Sequence, residues 1–231
     1  MVLKLTLAIA SIAIFVTLGM KGLVYHQGRT SASWQEKGSL TEVAHQKKAE
    51  GQDKATVSEM RIDYAGADID LDEALKNYSV FIAEPVESKS FPLEPRNIQT
   101  WHKFRILETL ARKSYMYCST CSSIAAVPQE MGKPNYDEFF VNTIGGALSI
   151  EGVDVTQQNS SLHFEKGNKY LMFVNLTPSQ VGVLAGGPSG VFRLDKNDTL
   201  HSMNKENARL PSEVQKYFGL KLSEFKSHIN R

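Results

Sequence analysis

Cysteine is nearly absent: the 231 residues hold two, Cys118 and Cys121, in a single Cys-Ser-Thr-Cys run. That excludes a disulfide-dense secreted scaffold and a zinc site built from four thiolates. A charge excess of either sign is missing too. Lys and Arg number 26 against 25 Asp and Glu, a net +1, without the basic surplus expected of a nucleic-acid binder. No internal repeat of solenoid or propeller length is visible. Long hydrophobic runs are scarce, and only one, near the N-terminus, comes close to membrane length. With 42% hydrophobic and 22% charged residues, the balance is globular and excludes collagen, coiled coil and disorder throughout.

The one apolar run sets the compartment. Residues 5–18 read LTLAIASIAIFVTL, with Leu5, Leu7, Ile9, Ile12, Ile14, Phe15 and Leu18 as its greasy positions. Lys4 precedes it and Lys21 follows. A positive start and a short apolar core fit a secretory signal, while a comfortable span needs about 20 residues. Lys21 can snorkel, so that Gly22-Leu23-Val24-Tyr25 lengthens the stretch and Tyr25 sits at the interface. Small residues are needed before a cleavage site. Thr17-Leu18-Gly19 is a mediocre match, and Thr30-Ser31-Ala32 lies well past the core. The reading is an uncleaved signal-anchor over residues 1–25, with a cleaved signal peptide as the alternative. Either way the rest of the chain is expected outside the cytoplasm, in the cell envelope or secreted.

Residues 26–61 are polar, with few aromatic or β-branched side chains. The expectation is a flexible linker, with a frayed helix near Leu40 to Glu50. A β-rich domain over 62–231 follows. Asp70 to Tyr78 reads as a short helix with acidic residues in its first turn. Strands are expected at Ser79–Glu84, with Pro85 at a bulge or at an unpaired N–H position, at Thr100–Leu110 and at Glu138–Ile144. Ala147–Val155 is read as one strand kinked at Gly152. Lys169–Leu176 is the most apolar and so the most central strand. Short strands at Val181–Leu184 and Val191–Leu194 flank Gly186-Gly187-Pro188-Ser189-Gly190. The C-terminal part, 203–231, turns helical, with Gly219 as a left-handed stop and a last helix over Leu222–Ile229. Strands spaced by turns, without helices between them, predict a mainly β domain. Its form is a small antiparallel barrel or sandwich with short flanking helices.

The thiol pair falls in the loop between the strands ending near Leu110 and starting near Glu138. A structural disulfide is the favoured reading, since oxidised pairs persist outside the cytoplasm. Two intervening residues allow the Cα separation that a bridge needs. A thioredoxin-type site would need a strand–helix setting that the pattern lacks. A zinc site would need two more ligands, and His102, His163 and His201 are scattered singly. Covalent haem needs His where Ser122 stands, and two free thiols are the remaining reading.

Other residues invite a functional reading. The Gly186–Gly190 stretch lacks the Lys-Ser/Thr of a phosphate loop and reads as a tight turn. Ser189 lacks nucleophile-elbow spacing, having Val191 two residues on. His102, beside Trp101, is a candidate general base against the plainer reading of a half-exposed strand histidine. No set of nucleophile, base and orienter is legible, and the residues call for no metal and no cofactor.

The order Val80-Phe81-Ile82-Ala83-Glu84, Phe104-Arg105-Ile106-Leu107-Glu108, Gly145-Gly146, Gly167 with Tyr170-Leu171-Met172-Phe173, and Gly186 to Phe192 resembles exported bacterial proteins. These carry a small β-barrel like oligomer-binding or netrin-like domains. The likeness spans about residues 70–200 and implies a fold, with no catalytic residue attached. The expectation for function is a binding or interaction module without catalysis. It touches the membrane through its N-terminal segment, has a protein or small-ligand partner and binds no nucleic acid. The alternatives are a thiol–disulfide oxidoreductase using the cysteine pair, or a protease-inhibitor-like module.

Overall fold

Two fifteen-residue strands, β2 (Ser79–Leu93) and β3 (Asn97–Ala111), form an antiparallel hairpin that is the spine of the fold. The computed structural model describes residues 38–57, 71–93, 96–114, 126–158, 162–203, 217 and 219–229. All fall in the unit Lys37–Arg231. The Leu5–Leu18 run and the Cys118/Cys121 pair lie outside the described residues. Among the described residues no helix is long and apolar enough to cross a membrane.

The remaining elements arrange themselves around that hairpin. They are α1 (Leu40–Ala49), β1 (Lys54–Val57), α2 (Leu71–Asn77), β4 (Glu138–Ile144), β5 (Gly146–Ile150), β6 (Val153–Gln157) and β7 (Lys169–Leu176). β8 (Val181–Leu184), β9 (Val191–Leu194), β10 (Leu200–Ser202) and α3 (Leu222–Ile229) follow. The protein is mainly β, with two sheets. The larger has the order β10-β9-β7-β2-β3-β4-β8, and β8 also pairs with β7. The pairings β7-β2-β3-β4-β8-β7 therefore run in a closed circuit of five strands. All are antiparallel except β4–β8, which is parallel. The smaller sheet is β1-β6-β5, with β1 and β6 parallel. The expected all-antiparallel arrangement thus gains two parallel pairings.

Alternation of side chains explains which residues go where. Inside the circuit lie Phe81, Ala83, Phe104, Phe139, Val141, Tyr170, Met172 and Val174, joined by Leu162 and Phe164. Phe104 stacks on Phe139 at 5.5 Å and meets Phe164 edge-on at 4.9 Å. The opposite faces of β2 and β7 bury Val80, Ile82, Leu171 and Phe173. These pack with Phe192, Leu194 and Phe225 of α3. β7 is covered on both faces, which is why its sequence is apolar almost throughout. Pro85 sits at a register shift between β2 and β3, where a missing ladder donor is tolerated.

Two differences from the sequence reading have local causes. Ala147–Val155 is not one kinked strand. Glu151 (φ 51°) and Gly152 (φ 85°) both take left-handed backbone and turn the chain into the β5–β6 hairpin. The described part of the expected linker, 38–57, is folded. Ser39 caps α1 with a capping box through Glu42. Leu40 and Ala44 then pack with Ala55, Val57, Ile98, Val153 and Val155.

Candidate functional site

The interior face of the β2–β3–β4 layer changes character along its length. At Phe104 and Phe139 it is aromatic, and beyond them it becomes a ladder of polar side chains. Register puts Ser88 opposite His102 and Ser90 opposite Thr100. It puts Val141 and Thr143 beside the same two β3 residues on the other side. His102 is only 5% exposed, so it is a core residue and not the half-exposed one expected of a strand histidine.

Both of its ring nitrogens have hydroxyl partners. The Thr143 hydroxyl lies 3.5 Å from the Thr100 carbonyl, which can only accept. Where that long contact orients the Thr143 hydroxyl, its oxygen accepts from His102 Nε2–H at 3.0 Å and Nδ1 accepts from the Ser88 hydroxyl at 2.8 Å. The same logic continues along the ladder. Thr100 donates to the Gly145 carbonyl at 2.6 Å and receives the Ser90 hydroxyl at 2.9 Å. The imidazole also stands edge-on to Phe164 at 4.9 Å.

A hydroxyl bonded to an imidazole is the first half of a nucleophile–base pair. The second half is missing. The third member is a threonine hydroxyl, which cannot stabilise an imidazolium as a carboxylate does. Burial, helped by the nearby charge of His163, lowers the His102 pKa from 6.5 to about 4. Accepting a proton there is unfavourable, so the arrangement serves as a neutral, satisfied polar core.

The outer face of the same layer holds a second cluster. Trp101, Phe140 and Val181 are buried there under Met131, with Phe91 and Val127 at the margin. Trp101 and Phe140 meet edge-on at 6.4 Å. The Lys103 ammonium stands 5.6 Å above the Phe140 ring and 3.3 Å from Glu87. Met131 belongs to a 3₁₀ turn, Gln129–Met131, in the segment leading to β4. The indole N–H of Trp101 and the amide oxygen of Asn142 are both buried without a hydrogen-bond partner. The two residues face each other across β3 and β4.

A third feature is a shallow groove of about 580 Å³ over the outer face of the small sheet. Lys54, Thr56, Ser149, Asp154 and Thr156 line it. Its walls mix these with the apolar Ala55, Ala147 and Leu148, and no buried titratable group lines it.

The other residues weighed in the sequence are dispersed. Ser189 is buried in the 3₁₀ turn Gly187–Gly190 between β8 and β9. His201 bonds Asp195 at 3.0 Å in the β9–β10 turn. That bond, with the amides of Thr199 and Asn197, holds the Asp195 carboxyl well below its usual range. His163 is exposed. Among the described residues no three His, Cys, Asp or Glu side chains are placed to hold a metal ion. Sequence reasoning reached His102 and Trp101 and missed Ser88, Thr143, Asn142 and Met131. Nothing in the local pattern marks those four; only cross-strand register and a long connection bring them together.

No family model, no curated protein and no solved structure matches this chain.

Proposed function

We propose that the protein is an exported binding or interaction module, held at the membrane by residues 5–18 and without catalysis of its own. The observation that carries this reading is the five-strand circuit closed by the parallel β4–β8 pair. A five-stranded Greek-key barrel is the architecture of oligomer-binding domains, which present the outer face of their second and third strands to ligands. Here those strands are β3 and β4. The Ser88–His102–Thr143 ladder supports the non-catalytic part, since its imidazole is a poor base with no carboxylate behind it. The Cys118–Cys121 pair is, on this reading, a structural disulfide that shapes the 111–137 connection.

The test is cell fractionation, mass spectrometry of the mature N-terminus and thiol counting on the native protein. Envelope material with no alkylatable thiol is expected. A cytoplasmic protein with two free thiols would overturn the export reading. Insulin reduction that disappears in Cys118→Ser would replace it with an oxidoreductase.

A further inference from the structure

The outer face of β3 and β4 is not open to solvent; the segment that closes it buries one side chain there and is tied to β3 at its C-terminal end, where the Asp137 carbonyl accepts from the Ile106 amide at 2.7 Å and Arg112 stands over Tyr136. Of residues 126–137 in the strap, Met131 alone is fully buried, at 1% exposure. Gln129, Glu130, Gly132, Lys133, Asn135, Tyr136 and Asp137 are exposed. Beneath Met131 lies Trp101, fully buried although it points away from the barrel interior. The strap covers this surface without satisfying it. The Trp101 N–H lacks an acceptor and the Asn142 amide oxygen lacks a donor, at facing positions on adjacent strands. A barrel that needed only a lid would place an apolar residue at both positions, because a buried unpaired polar group is costly.

We propose that residues 126–137 are a displaceable plug over a docking face for a partner polypeptide, a self-occupied state of the binding surface. This rests on the binding-module reading above. The occupant class follows from what sits there now: a polypeptide with one aliphatic anchor, Met131, seated on Trp101, Phe140 and Val181. The partner brings a similar anchor, and its backbone C=O and N–H pair with the Trp101 indole and the Asn142 amide. It thereby gains two hydrogen bonds that the plug leaves unmade, which is the differential affinity needed to shift the equilibrium. The plug competes from an effective concentration of about millimolar, so the closed state dominates until a matched partner arrives.

The experiment uses the full chain in lipid nanodiscs, with Trp34→Phe so that Trp101 is the sole indole. The probe is a labelled peptide of the plug's own sequence, residues 126–137. Acrylamide quenching reads plug opening and fluorescence anisotropy reads docking. In the closed chain Trp101 is shielded and the peptide binds at least about tenfold more weakly than to the opened chain. In Val127→Ser with Met131→Ser, quenching rises several-fold and the peptide binds, while a peptide carrying Ser in place of its Met does not. A folded double variant with Trp101 still shielded overturns the proposal, as does exposed Trp101 with no peptide binding. If the double variant melts, a specific protease site between Gly132 and Lys133 nicks the otherwise native strap. Cleavage is then expected to raise both signals, and no change in either overturns the proposal. A cytoplasmic location would sink the export reading and leave this assay's answer standing.

Discussion

His102 shows how one buried side chain can set the acid limit of a fold. In the unfolded chain its pKa is near 6.5, and in the folded protein burial and His163 hold it at about 4. Above pH 6.5 both states are neutral and the group is silent. As pH falls from 6.5 to 4 the unfolded state takes up a proton that the folded state refuses, so stability declines. Below 4 both are protonated and the loss levels off. The gap corresponds to roughly 3 kcal/mol. Urea midpoints of the native protein should drop accordingly between pH 7 and pH 4.5, on top of any carboxylate contribution. In His102→Gln that part of the slope should vanish, with about 2 kcal/mol lost at pH 7 for the vacated ring site. An unchanged slope would mean that the imidazole titrates alike in the folded and unfolded chains, so that burial does not lower its pKa.

The β5–β6 hairpin separates what an element's sequence reveals from what its neighbours impose. Gly152 and Gly146 both have positive φ, 85° and 138°. A Cβ on Gly152 meets nothing within 4 Å, whereas one on Gly146 runs into the hydroxyls of Thr100 and Ser90. Gly152→Ala should therefore cost about 1 kcal/mol, from backbone conformation alone. Gly146→Ala should cost about 3 kcal/mol, because it also breaks the Ser90–Thr100–Gly145 chain. Thermal melts of the two variants check the contrast, and equal losses would refute it. The sequence reads Gly152 as a kink within one strand, and nothing in it shows that Gly152 faces open space while Gly146 is crowded by two hydroxyls. The same limit runs through the fold. β4, β7, β8, β9 and α3 are legible with the bounds that the structure shows, because each carries its own apolar period. β1 is hidden, since Lys54-Ala55-Thr56-Val57 offers two small apolar side chains in a charged stretch. It becomes a strand only because β6 lies alongside. The Ser88–His102–Thr143 ladder is illegible for the same reason: its members are 14 and 41 residues apart and meet through sheet register.

At the scale of the whole molecule, the question is where the folded body begins. A polar stretch over 26–61 suggests that a chain starting at residue 62 keeps the entire domain. The core around Ile98 argues otherwise. Ile98, Val153 and Val155 are at most 1% exposed, and Leu40, Ala44, Ala55 and Val57 cover them. The tip of the long β2–β3 hairpin is tied into the same region. The Ile98 amide donates to the Gln157 side chain at 2.7 Å, and that side chain donates in turn to Asn97 at 3.1 Å. Removing α1 and β1 uncovers three large apolar side chains and strips one neighbour from β6. Burial of a Leu or Val side chain is worth about 1.5–3 kcal/mol, so the loss should be about 5 kcal/mol. That is the whole stability of a marginal domain. A chain starting at residue 62 is therefore expected to unfold at far lower urea than one starting at residue 38, and to aggregate through the uncovered sheet. Matched urea titrations of the two chains decide it. Equal midpoints would mean that α1 and β1 decorate the β6 sheet without supporting it.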